Sequence, residues 1–316
     1  MEFREPTNVL LYGLASLAKR AVLLHRSFRL NQVEVEEPLS GTHLFYIGEG
    51  ESLGYIREMY FEHCVGKKTG TLSLWRLGRR IKQLASSNVL IFVEINRMFK
   101  PLVPTGGLLT FPWIRQGVFI DNNDYIKRRH KIESTFGRKV RKLGYHYQIT
   151  RDKKLVHKFF EELYLPYVTT RFKNVCHVRT LPELQAAINS GFLLQVFVQD
   201  LWVSGVICKL KKNEICTLAF GHLSDDQYHL QLGGLSAAYY FIFKWAEEHS
   251  IQKVDLLRSR PHMNDGVYEH KRRWGAKPEI DGWPHTALWI FIPKEAELPP
   301  SLKKQLIWNG DKFIEI

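Results

Sequence analysis

The chain has 316 residues, 45% hydrophobic and 13% aromatic, enough to bury one large core or two of ordinary size, which excludes a disordered protein. Its 45 Lys and Arg against 32 Asp and Glu leave a net charge of +13. The expected partner is therefore anionic: a nucleic acid, a membrane surface, or a phosphorylated cofactor or substrate.

Residues 7–29, TNVLLYGLASLAKRAVLLHRSFR, place Leu10, Leu14, Leu17, Ala21 and Leu24 near one helical face, with Lys19, Arg20, His25, Arg26 and Arg29 gathered toward the end. The spacing predicts an amphipathic helix, docked on the protein's own core or lying on an anionic membrane surface. After Glu36-Glu37-Pro38 the pattern changes to short apolar runs, HLFYIG and NVLIFVEI. The helical stretch LSLWRLGRRIKQLA lies between them and the turn-rich PLVPTGG follows, which predicts a small α/β unit from about 40 to 120.

From Asp124 to Leu143, the cations Lys127, Arg128, Arg129, Lys131, Arg138, Lys139, Arg141 and Lys142 face only Asp124 and Glu133. Ile132, Phe136 and Val140 recur every four residues, so these cations cover an anchored helix, with Gly137 a point where it can divide in two. That face is either a solvated surface or a groove for phosphates or a polyanion. Another helix follows over Lys153–Tyr164, then the strand candidates FLLQVFV, WVSGVICKL and EICTLAF. A helix from about Gly234 to His249, the strand VDLL and a last strand TALWIFI complete an alternating layout. It predicts an α/β (α+β) fold with mixed central sheets flanked by helices.

Cys64, Cys176, Cys208 and Cys216 form no C-x-x-C pair and have no His partner at zinc-finger spacing. They are expected to be reduced thiols of a cytoplasmic protein without a structural metal. No run approaches the ~18 apolar residues of a membrane span. The start, MEFREPTN, lacks the pattern of a signal peptide, so the expected location is cytoplasmic, with peripheral membrane contact through the first helix as the alternative.

The stretch VDLLRSRPHMNDGVYEHKRRWGA runs from a strand through a turn into a short helix that ends at Trp274-Gly275. Tyr268 and Lys271 fall on one face at i, i+3, as do Lys271 and Trp274. Asp255, at the strand end, either orients a substrate amine or pairs with Arg258. Gln231-Leu232-Gly233-Gly234-Leu235-Ser236 opens a helix whose free N–H groups suit a pyrophosphate or form an ordinary helix start. Ser204-Gly205 marks either a strand break near a ligand or an ordinary strand glycine.

Together with RKVRKLGY and LYLPYVTTRF, that stretch resembles the Fem-like branch of the GNAT acyltransferase superfamily, over about Asp124 to Pro278. The resemblance implies two fused GNAT-like halves: a helical segment 1–36, a degenerate half 37–123, a catalytic half 124–295 and a tail 296–316. It also implies transfer of an acyl group to the amine of a cell-envelope precursor, saccharide or peptide, catalysed by Lys271, Asp255 and Tyr268. The substrate would meet Arg258, Arg260, Asp265 and Trp274. Acyl-CoA is the expected donor, held by Gly205, Gln231, Gly233, Gly234 and Ser236, whereas an aminoacyl-tRNA would use the basic helix. A catalytically inert binding or scaffold protein on the same frame is the third alternative. The sequence departs from the family's pattern at His270, where an aromatic residue commonly precedes the Lys, and at Ser236, where Gly or Ala is usual in the pyrophosphate turn.

Overall fold

The computed structural model describes residues 28–37, 42–61, 64–87, 89–172, 178–223, 227–282, 285–293 and 300–316. Most of the predicted N-terminal helix, and with it the expected membrane contact, lies outside these residues, as does Cys176. No helix among the described residues is long and apolar enough to cross a membrane. The chain is a mixed α/β protein with two large mixed sheets, as the alternation of elements predicts.

The first compact unit comprises the described residues up to Ile114, Arg260–Asp265 and Ile280–Ile316. Its sheet has the order β3-β1-β2-β4-β13-β5, from β1 (Arg29–Glu37), β2 (Thr42–Gly48), β3 (Val65–Ser73), β4 (Leu90–Asn96), β5 (Leu108–Thr110) and β13 (Thr286–Phe291). β2 and β4 pair in parallel, connected through the helices α1 (Leu53–Tyr60) and α2 (Leu77–Ala85). The run in β4 is apolar almost throughout because both faces are covered. Ile91, Val93 and Ile95 join one core with Leu77, Ile81 and Leu84 of α2, while Leu90 and Phe92 join a second with Tyr55 and Ile56 of α1.

Three boundaries differ from the sequence expectation. Residues 29–36, assigned to the helical segment, belong to β1, whose Leu30 and Val35 are fully buried. The C-terminal tail carries a hairpin of β14 (Leu306–Trp308) and β15 (Phe313–Glu315) within the first unit. The strand TALWIFI, expected in the catalytic half, lies between β4 and β5 of the first sheet. Ala287 and Trp289 enter one core there, and Leu288 and Ile290 the other, so its two apolar faces fit a central position.

The second unit comprises Arg115–Ser259 and Gly266–Glu279. Its sheet has the order β12-β6-β11-β10-β9-β8-β7, from β6 (Ile114–Phe119), β7 (Tyr145–Thr150), β8 (Gly191–Val198), β9 (Leu201–Lys211), β10 (Glu214–His222), β11 (Lys253–Ser259) and β12 (Lys277–Glu279). The basic segment is α3 (Asn123–Ile132) and α4 (Arg138–Leu143), joined by a π-helical turn over Glu133–Gly137 in place of a break. Further along come α5 (Lys153–Lys158), a second π-helical turn over Phe159–Tyr164, α6 (Leu165–Phe172), α7 (Leu181–Ala187), α8 (Gln227–Gln231), α9 (Gly234–Glu248) and α10 (Gly266–Arg273). One face of the sheet buries Phe192, Leu194 and Val206 with Ala238, Ile242 and Trp245 of α9. The other buries Leu193, Ile207 and Ala219 with Phe159, Leu163 and Leu184.

Candidate active site at a split between parallel strands

β10 and β11 run parallel, and their pairing covers Glu214–Lys253, Ile215–Val254 and Cys216–Asp255. Beyond that point β10 continues to His222 with a register shift against β9 between Thr217 and Ala219, so Leu218 is the extra, bulged residue. Arg179 Nε donates to the Leu218 carbonyl at 3.3 Å, satisfying an oxygen that the bulge displaces. β9 has its own bulge at Val203, beside the expected Ser204-Gly205, where its register with β8 shifts between Val196 and Phe197, and the bulge at the fork lies on the neighbouring strand. Gly205 stands in a regular ladder opposite Gly221, and a Cβ there would lie 2.8 Å from Leu194 O and 3.3 Å from the Phe159 ring. Its role is close packing beneath Phe159, which corrects its assignment to cofactor binding.

Asp255 sits at the fork, fully buried. Its Oδ2 accepts from Arg115 Nε at 2.6 Å, its Oδ1 from the Leu257 N–H at 2.8 Å, and its carbonyl from Thr217 Oγ1 at 3.0 Å. The expected partner Arg258 is replaced by Arg115, a residue of β6 that sequence proximity to Asp255 does not reveal. Burial raises the carboxyl pKa, but the hydrogen bond and charge of Arg115 outweigh it and hold the group ionised below its ordinary range. Leu257 adopts φ +62°, a left-handed conformation costly for a non-glycine residue, where β11 turns away from β10. Asp255 thus fixes the fork. With Glu214 and Cys216 it places three potential ligand atoms within 4.8 Å of one another. Burial and the adjacent Asp255 push the Cys216 thiol up to about 12, and Arg115 occupies Asp255 Oδ2, so the thiol is protonated here and hydrogen-bonds Asp255 Oδ2 at 3.5 Å.

Lys271 and Tyr268 occupy the buried face of α10, at 6% and 3% exposure. Lys271 Nζ donates to Arg258 O at 2.6 Å, so the ammonium lies at the carboxyl end of β11, past the fork. A surface role for this lysine does not agree with its burial. The buried Gln116 Nε2 donates to Tyr268 O at 3.3 Å and its Oε1 accepts from Ser259 Oγ at 2.8 Å, which ties the helix to β11 through β6. Gln116 too was invisible in the sequence; the only signal was a pair of polar residues in the otherwise apolar IRQGVF. At the helix end Gly275, at φ +94°, donates to Arg272 O at 2.9 Å and Ala276 to Lys271 O at 3.2 Å, the two bonds of a Schellman stop.

The expected substrate contacts disperse. Trp274 is fully buried and stacks on Phe136 at 4.1 Å and on Phe243 at 5.5 Å, so it is a core residue and does not bind substrate. Arg258 is exposed. Arg260 and Asp265 belong to the first unit, where the Arg260 guanidinium lies 3.6 Å from the Trp113 ring centroid and donates to Pro112 O at 2.9 Å.

Behind β10, Gly233 adopts φ +91° and caps α9 without any side-chain hydrogen bond. The N–H groups of the first turn, from Gly234 to Ser236, have no acceptor within the helix. Lys139 Nζ donates to Gln231 O at 3.4 Å, bringing a cation to this turn. Gly234 is buried, and a Cβ there would lie 2.9 Å from His222 Nε2, so it is needed for packing.

No protein-family model and no curated protein sequence matches the chain. Solved structures similar to it include FemX, at TM-score 0.41 and 13% identity over 83% of each chain. L-PGS from Bacillus licheniformis is similar at TM-score 0.40 and 10% identity, over 82% of this chain and 79% of that one. A GCN5-related N-acetyltransferase-like protein from Streptococcus suis is similar at 0.34 and 10%, over 82% and 88%.

Proposed function

We propose that the protein is a GNAT-type acyltransferase, moving an acyl group from acyl-CoA to an amine of a cell-envelope precursor, saccharide or peptide. The observation that carries this reading is the fork itself. Two parallel strands separate after Cys216 and Asp255, a bulge interrupts β10, and an uncapped helix N-terminus follows. Such a fork frees backbone groups for a ligand lying between the strands, and first-turn N–H groups with Lys139 suit a pyrophosphate. During transfer, negative charge grows on the carbonyl oxygen and the leaving thiolate, and the Lys271 ammonium, fixed by α10 and Arg258 O, is the group assigned to stabilise it. Tyr268, on the same face, is the candidate to protonate the leaving group.

A Ser236→Asp change tests the donor. A carboxylate in the first turn favours the helix while repelling phosphate, so the fold should be kept and affinity for acetyl-CoA, read by titration calorimetry, should fall at least about tenfold. Unchanged affinity removes the turn from the site. No heat from acetyl-CoA in the parent protein removes the CoA donor and leaves the transfer RNA and scaffold alternatives.

The runner-up donor, an aminoacyl-tRNA, is favoured by one observation. Two adjoining clefts of about 580 and 520 Å3 between α3 and α10 share Arg128, Lys131 and Arg272. Lys127, Arg273 and Lys277 add to them, against Asp124 and Glu269. Reversing Lys127 and Lys131 to Glu should then lower affinity for a transfer RNA and flatten the slope of log K against log salt by about 0.7–0.9 per lost contact. Equal slopes for variant and parent would eliminate that donor.

A further inference from the structure

Glu94 is a fully buried carboxyl in the apolar run of β4, in the first unit. It stands opposite Gly48 in the last register pair of the parallel strands β2 and β4, where the chain leaves β2 for the turn into α1. Its Oε2 accepts from the Tyr46 hydroxyl and from the Ser52 N–H, the latter at 2.8 Å, and the Gly50 N–H donates to the Tyr46 oxygen at 2.9 Å. The turn is thus tied to one carboxyl twice, through Tyr46 and through its own backbone. Packing there is tight: a Cβ at Gly48 would lie 2.5 Å from Glu94 O and 2.9 Å from the Tyr46 hydroxyl.

An ionised carboxylate offers about four acceptor sites, and this one receives two donors, both on Oε2. Oε1 is buried and has no hydrogen-bond partner among the described residues. The groups facing the carboxyl are Tyr46 from β2, Glu51 from the turn, with Glu49 acting on Tyr46, and Arg260 from the segment Arg260–Asp265. Leu288, its partner on β13, is apolar. Arg260 donates to Pro112 O at 2.9 Å and lies over the Trp113 ring, and no ion pair joins it to Glu94. Burial, with the like charge of Glu51, outweighs the two donors and pushes the carboxyl up to about 7. A proton on Oε1 removes the charge, and Ser52 Oγ, buried and also without a partner, lies against the carboxyl to accept it.

We propose that Glu94 is a pH-sensitive clamp on the turn between β2 and α1, closed while the carboxyl is protonated and loosened when it ionises. Opening the turn brings water to Oε1, which the carboxylate needs and the neutral acid does not. Because the buried midpoint lies above the ordinary value of 4.5, the carboxyl favours the closed turn fully below that value and progressively less as the pH rises through about 7. The clamp is independent of the acyltransferase reading.

The test uses the full chain with glutamate labelled with 13C at Cδ, the Glu94 signal being identified by its loss in Glu94→Gln, which keeps the shape and removes the charge. That signal is expected to titrate between pH 6 and 8. Tyr46→Phe takes away a donor to the ionised form and should raise the midpoint further, identifying the same signal if Glu94→Gln does not fold. Hydrogen exchange over residues 48–60, read by mass spectrometry, is then compared in parent and Glu94→Gln. From pH 6 to pH 8 the parent should gain about tenfold in exchange over the variant, the linkage of one proton whose midpoint differs between open and closed turn. A Glu94 midpoint below about 5.5, close to an ordinary carboxyl, overturns the clamp. So does a midpoint that Tyr46→Phe leaves unchanged, or an exchange ratio that is the same at both pH values.

Discussion

Replacing Lys271 by Met is expected to slow acyl transfer about 100-fold while acetyl-CoA affinity stays close to that of the parent, because the lost ammonium acts on charge that exists only in the transition state. Met keeps the buried stem and its volume, so the change isolates the charge. Lys271 also donates to Arg258 O, and a purely structural lysine would show itself differently. Leaving that carbonyl without its donor costs about 1–3 kcal/mol, partly offset by removing a buried charge, and would lower the melting temperature while turnover per folded molecule is kept. Thiol release from acetyl-CoA, measured with a panel of amine acceptors beside a thermal melt, distinguishes the two. Turnover within threefold of the parent would reject the catalytic assignment and make Tyr268 the next residue to test.

Truncating Trp274 to Ala should cost about 3–5 kcal/mol of stability, a large share of the 5–15 kcal/mol typical of a folded domain. The indole is fully buried between Phe136, Phe243 and Tyr239, with ring planes within 22° of parallel. Trp274 directly follows α10 and joins the core of the second unit, which includes no residue of the helix itself, so its ring anchors the helix that carries Lys271. Trp274→Phe should recover most of the loss, since Phe refills much of the space. Urea denaturation followed by circular dichroism provides the measurement. A cost below about 1 kcal/mol would mean that the site tolerates an empty space of that size, contrary to close packing, and would restore Trp274 as a candidate substrate contact.

The sequence by itself determined the local elements and their alternation. The apolar run of β4, the stripe on α9 and the Trp-Gly stop of α10 each follow from side-chain periodicity or backbone freedom within a few residues, and they stand where expected. It also singled out Lys271 and Tyr268, because i, i+3 spacing puts both on one face whatever that helix packs against. Tertiary structure alone decided the partners. Arg115 reaches Asp255 across 140 positions of sequence, and β13 joins the first sheet although it follows the second in the chain. Nothing in the neighbourhood of a residue encodes such pairings, because a strand with two apolar faces is equally acceptable to any central position that can bury both. The same cause moved Trp274 from cleft to core and Gly205 from ligand to packing. A bulky indole and a bare glycine are each ambiguous until the surface opposite them is known, and here those surfaces are the Phe136, Tyr239 and Phe243 rings for Trp274 and the Phe159 ring for Gly205.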